Sequence, residues 1–188
     1  MGCAVITSAV AMLTRFSAVL LMLCSVAMTQ SPAGGKWTYV VSEDKLTGAP
    51  YGIFGLMADE QMADEIGKGF PSFLIMCGGT VKSPHWITSS LRSPIVLGKP
   101  DTRSVLTEIP QQIVALRADD NMHVHAWNMA GDFRTFMVDK GATKELIEAK
   151  TTARIQFRDS SEHKQVAIFS PSGLNMEMLT KACGKVFR

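Results

Sequence analysis

His123-Val124-His125 is the segment of this chain whose residue types and spacing come closest to a chemical site. Residues two apart on a strand point the same way, so two imidazoles here could offer their nitrogens together to zinc or copper. Two ligands are not a site. A tetrahedral zinc needs two more, and the remaining histidines, His85 and His163, stand in separate segments at no motif spacing. His85 or a carboxylate would have to complete the shell, so a metal-binding protein or metal-dependent enzyme is the alternative reading. No metal or other cofactor is assigned. The plainer expectation is a half-exposed strand face that carries two polar rings.

Nucleophilic and acid–base chemistry have less support. Ser172-Gly173 lacks the flanking glycine pattern of a nucleophile elbow, and Ser89-Ser90 has no base at a recognised spacing. Asp119 and Asp120 are adjacent, so on a strand they face opposite ways and in a turn they read as turn formers rather than an acid/base pair. Gly34-Gly35 and Gly78-Gly79 lack the strand, glycine loop and helix that cradle phosphate. Met57, Met62, Met76, Met122, Met129, Met137, Met176 and Met178 offer either soft surface or thioether ligands for copper, but spread this widely they read as core filler. No catalytic residue is assigned, and the expectation is a non-enzymatic protein.

The elements that would position these residues are mostly strands. Trp37 to Ser42 and Tyr51 to Ala58 flank the turn-rich Asp44 to Pro50 and read as a hairpin. Gln61 to Gly67 reads as a loop or a single helical turn. Ser72 to Cys77 is continuously apolar and reads as a buried strand, Gly78-Gly79 as a turn, and Thr80 to Thr88 as a return strand that Pro84 places at an edge or a bulge. Ile113 to Arg117, Met122 to Met129 and Phe133 to Val138 form a meander. Between Lys140 and Ala149 the apolar period becomes helical, and Thr152 to Arg158 with Gln165 to Phe169 make a last strand pair. Leu174, Met178, Leu179 and Cys183 mark the apolar side of a final helix that ends at Gly184. The predicted fold is therefore mainly β: an antiparallel sheet or small β-sandwich, with a short helix near 140–149 and a C-terminal helix packed on the sheet. Trp86 and Trp127 have two readings, as rigid rings at a protein interface or as core cover.

Arg15 is the only charge among the first 27 residues, and Phe16 to Cys24 is an apolar run followed by Ser25-Val26-Ala27, a small-x-small cleavage pattern. Residues 1–27 are read as an export signal cut after Ala27. The apolar run is about 9 residues against the roughly 20 that a membrane span requires, so no lasting anchor is expected. Leu23 before Cys24 argues against lipidation. Residues 28–36 read as a flexible lead-in and 37–188 as one domain. The signal holds one of the 19 Lys and Arg and none of the 17 Asp and Glu, which leaves 18 against 17, scattered without blocks. That balance gives no field to attract nucleic acid. It leaves Cys77 and Cys183 as the thiols of the mature chain, read as a disulfide staple, with two unpaired buried thiols as the other reading.

Trp37, the Leu74 to Gly79 stretch, Ala115 to Asp119 with Trp127, and Phe169 to Gly184 follow one another in an order that resembles the exported accessory proteins of type VI secretion clusters, the VasI-like family, and related uncharacterised secreted proteins. The resemblance implies a secreted, mostly β domain with a late helix and a disulfide, periplasmic or secreted, whose partner is an envelope or secretion-apparatus protein. Trp86, Trp127, Arg117 and Asp119 are the expected interface residues. The chain departs from the pattern at Ser170-Pro171, where an aspartate is usual, and at Ala118, which separates Arg117 from Asp119. A second resemblance, to the invasion-associated exported proteins called locus B, is weaker, because those carry more cysteines.

Overall fold

The computed structural model describes residues 37–43, 45, 48–79 and 86–184. The expected export signal, the lead-in, Pro84 and His85 lie outside the described residues. Twelve strands and two helices follow in the order β1 (Trp37–Glu43), β2 (Pro50–Met57), β3 (Met62–Ala63), β4 (Lys68–Gly69), β5 (Ser72–Gly78), β6 (Trp86–Arg92), β7 (Thr102–Arg103), β8 (Pro110–Ala118), β9 (Asn121–Met129), β10 (Thr135–Val138), α1 (Lys140–Glu148), β11 (Ala153–Arg158), β12 (Lys164–Phe169) and α2 (Met176–Cys183). Ten of the strands make one antiparallel sheet in the order β1-β2-β5-β6-β10-β9-β8-β11-β12, with β7 added on β8. The class, the short helix and the C-terminal helix are those the sequence predicts. The segment Gln61 to Gly67, read as a loop or helical turn, instead holds the short strand β3 and the turn that leads into its partner β4, closed by an Asp64 N–H bond to Gly67 O.

Alternation explains why the strands lie as they do. Trp37 and Tyr39 on β1, Phe54 and Leu56 on β2, Phe73, Ile75 and Cys77 on β5, and Val114 and Leu116 on β8 all point to one face, and all are buried. A sheet with one apolar face must cover it, and this one curls over itself to do so. The aromatic contacts record the curl. Phe136 on β10 and Phe157 on β11 are not neighbours in the sheet, since β9 and β8 stand between them, yet their rings lie 5.7 Å apart across the core. The two ends of the sheet also meet: Trp37 Nε1–H donates to Pro171 O at 2.7 Å, and Asp59 N–H donates to Ile168 O. The barrel does not close by strand pairing.

The two helices cover what the curl leaves open. Asn175 caps α2 by accepting from Met178 N–H, and Leu179, Ala182 and Cys183 face β2 and β5. Cys183 is bonded to Cys77 of β5 with a Cα separation of 5.1 Å and a sequence separation of 106. That bond points to an oxidising, extracytoplasmic environment. Gly52 of β2 is where the helix approaches, because a Cβ there would lie 2.7 Å from Ala182 Cβ and from the Phe54 ring. Among the described residues no helix is long and apolar enough to cross a membrane.

Two measurements check this packing. Replacing both cysteines by alanine should lower the free energy of unfolding by about 4 to 5 kcal/mol if loop closure dominates, read from urea titrations of oxidised wild type and the C77A/C183A variant. Gly52→Ala should cost about 1 to 3 kcal/mol, since α2 is bonded in place and cannot back away from the added methyl. A neutral Gly52→Ala would mean that the helix does not sit on this strand.

Candidate functional site

The two histidines of β9 lie on the core-side face of the sheet, at the end where the core gives way to α1. Trp127 and Met129, next along the same face, are fully packed, and His125 and then His123 come progressively toward solvent, with 14% and 56% of their side chains exposed. The expectation of a half-exposed face holds for His123. His125 is largely covered, because α1 lies over this end of the sheet with Ala142, Thr143, Leu146 and Ile147 turned inward.

That helix supplies partners that the spacing of the histidines did not reveal. Asp139 is its N-cap: Oδ1 accepts from Ala142 N–H at 2.9 Å, while Oδ2 accepts from Trp127 Nε1–H at 3.1 Å and lies 3.0 Å from His125 Nδ1. Glu145 turns its Oε2 to both imidazoles, 2.9 Å from His123 Nδ1 and 3.6 Å from His125 Nε2. The sequence signal for Asp139 was its position, an aspartate immediately before a helical period. Glu145 had no local signal, since its relation to β9 exists only once α1 docks. Among the described residues no group of three or more His, Cys, Asp or Glu side chains is arranged to hold a metal ion. The cluster is a set of charge-assisted links between a helix and a strand.

The four expected interface residues do not come together. Trp127 is 1% exposed and packs edge-on against Phe136, so it is core. Arg117 is on the solvent side of β8, where Nε–H donates to Asp119 O and the guanidinium lies 3.6 Å from Asp120. Asp119, in the β8–β9 turn with φ of 50°, is a strap: its carboxylate accepts from the N–H groups of Lys150, Thr151 and Thr152 and from the Thr151 hydroxyl. Those bonds, the Thr151 hydroxyl first, outweigh desolvation and hold the carboxyl well below the usual carboxylate range. The strap fastens the exit of α1 to the turn beside the histidines. The methionines split, with Met62 and Met129 in the core and Met57, Met122, Met137 and Met176 exposed on separate elements.

Of the two expected interface tryptophans, Trp86 faces water, with 51% of its surface exposed. It begins β6, opposite Gly78 of β5, which is opposite Tyr51 of β2. Its indole rests on the bare glycine, since a Cβ at Gly78 would meet both Trp86 Nε1 and Tyr51 Cβ at 3.2 Å. Two residues along, Val40, Ile53, Met76 and Thr88 form the next row, and Thr38, Gly55, Leu74 and Ser90 the one after. None of these side chains carries a charge. Six of them, Val40, Tyr51, Ile53, Leu74, Met76 and Trp86, are apolar and at least partly exposed, beside the hydroxyls of Thr38, Thr88 and Ser90, and Arg92 opposite Ser72 begins the row beyond. The water-facing side of an antiparallel sheet is ordinarily more polar than this. A second apolar feature is the tip of the β7–β8 hairpin, where Val105 and Leu106 stand almost wholly in solvent.

The chain matches no protein-family model, no curated protein and no solved structure.

The strap carries a pH signature with a definite sign. A carboxyl whose affinity for protons falls on folding contributes stability that is complete above its unfolded value, near 3.9, and that disappears as pH drops through its folded value. Asp119→Asn should therefore destabilise the protein at neutral pH and show a flatter acid limb, with the gap to wild type narrowing as pH falls below about 4. Urea midpoints of both proteins against pH test this, and parallel curves would refute the assignment.

Proposed function

We propose that this chain is a non-enzymatic accessory domain that binds a protein partner in the envelope of a Gram-negative cell, in the periplasm or after secretion, in association with type VI secretion. The observation that carries the binding part of this reading is the group of outward apolar side chains on β1, β2 and β5, Val40, Tyr51, Ile53, Leu74 and Met76, with Trp86 of β6 at its corner. A patch with one cation, Arg92, in the adjoining row offers little to nucleic acid or to anionic headgroups, whereas a large ring over a glycine suits burial against an apolar protein surface. The disulfide and the order of sequence motifs support the compartment and the association with a secretion apparatus.

The occupant is an apolar patch of an envelope or secretion-apparatus protein. Affinity capture from the periplasm and envelope of the native host should recover such a protein reproducibly with folded wild-type bait and lose it with Trp86→Ala. The purified pair should bind roughly 30-fold more weakly with that variant, the cost of about 2 kcal/mol expected for truncating a buried aromatic anchor. Recovery of no envelope protein by correctly folded bait would defeat the proposal. So would a homodimer in sedimentation experiments that Trp86→Ala dissolves, since the face would then belong to a second copy of this chain.

A further inference from the structure

The cluster beneath α1 poses a proton-counting problem that the outer apolar face does not touch. His125 Nδ1 is 3.0 Å from Asp139 Oδ2, and His125 Nε2 is 3.6 Å from Glu145 Oε2. Both ring nitrogens therefore face carboxylate oxygens, which only accept. A neutral imidazole has one N–H, so in either tautomer one nitrogen turns a bare lone pair toward a carboxylate. The tautomer with hydrogen on Nδ1 satisfies the shorter contact and strands Nε2, which is buried and has no hydrogen-bond partner. A second proton converts that lone pair into a donor and sets a positive ring between two negative groups.

We propose that His125 is a proton-operated latch that clamps α1 to the sheet when the ring is imidazolium and loosens it when the ring is neutral. Its two carboxylate contacts fall at separate points along the helix: Asp139 is the N-cap and Glu145 lies further along. The other groups around the ring leave the sign of the effect unchanged. From β9, His123 approaches the same Glu145 oxygen at 2.9 Å and is open to solvent, and the Trp127 ring, 6.0 Å away, favours a cation. From β8, the residues in register with this face of β9 are Gln112, Val114 and Leu116, none of which titrates. Lys144 and Glu148 of α1 pair with each other at 3.7 Å. Loosening α1 would bare the core that Ala142, Leu146 and Ile147 cover.

Amide hydrogen exchange of α1, corrected for intrinsic rates, tests the latch at about pH 5.5 and about pH 7.5. In wild type the helix should be protected about tenfold more at the acid pH, the size expected of one charge-assisted bond gained, while strand amides far from α1 keep their ratio. His125→Gln should abolish the difference, and His123→Asn should preserve it. Glu145→Gln makes the opposite demand: its amide N–H can donate to neutral Nε2, so α1 should be protected at both pH values. Equal protection of wild-type α1 at the two pH values overturns the proposal, as does a pH difference that survives in His125→Gln. If His125→Gln does not fold, Glu145→Gln decides, and an unchanged pH ratio in that variant overturns it. Zinc that protects α1 at pH 7.5 only when His125 is present would also overturn it, by assigning the cluster to a metal.

Discussion

A ten-stranded antiparallel sheet with one apolar face cannot stand open in water, and the need to cover that face governs the molecule. The cover comes from the sheet itself. Because neighbouring strands alternate their side chains in step, the inward residues of β2, β5, β8 and β11 join one core, and the Phe136–Phe157 contact joins strands that never pair. Close approach follows where the curl brings backbones together. At Gly98, which follows the Leu97–Asp159 bridge, a Cβ would lie 2.5 Å from Asp159 O, so a side chain there would force the two halves apart.

A curl that does not close as a barrel leaves openings, and each helix covers one by a different chemical means. Over β2 and β5 the means is covalent, a sulfur–sulfur bond beside a glycine that lets the helix down onto the strand. Over β8 and β9 it is ionic: a capping aspartate, a glutamate nearly two turns on, two histidines and the Asp119 strap at the helix exit. The first is indifferent to pH. The second includes the Asp119 strap, whose carboxylate is held in its ionised form by the bonds it accepts and is weakened in acid.

Much of this architecture is legible in the amino-acid order because strand alternation and helical period are local signals. The β1–β2 hairpin, the β8-β9-β10 meander and both helices follow from those periods, and Cys77–Cys183 is the one pairing left once residues 1–27 are read as an export signal. What is not legible depends on long-range docking. Nothing near His125 in sequence indicates that Glu145 will lie beside it, and nothing near Asp119 indicates that residues 150–152 will turn their N–H groups toward it. Trp86 and Trp127 look alike as sequence, each within a polar and apolar mixture. Their fates divide because Trp127 falls on the inward register of β9 and Trp86 on the outward register of β6. The β3–β4 ribbon is missed for another reason: two-residue strands are too short to show a period.

The position of Cys183 also sets an order of events. A ribosome delivers the chain from its N-terminus, so β5 is made long before the helix that holds its sulfur partner, and any product that stops short of residue 183 leaves Cys77 without that partner. Such a fragment also lacks the roof over Gly52 and Phe54. An unfinished or clipped chain thus differs from a complete one in two ways that a cell can read, a sulfur without its partner and a bare apolar strip. The last turn of the last helix is the element that removes both at once.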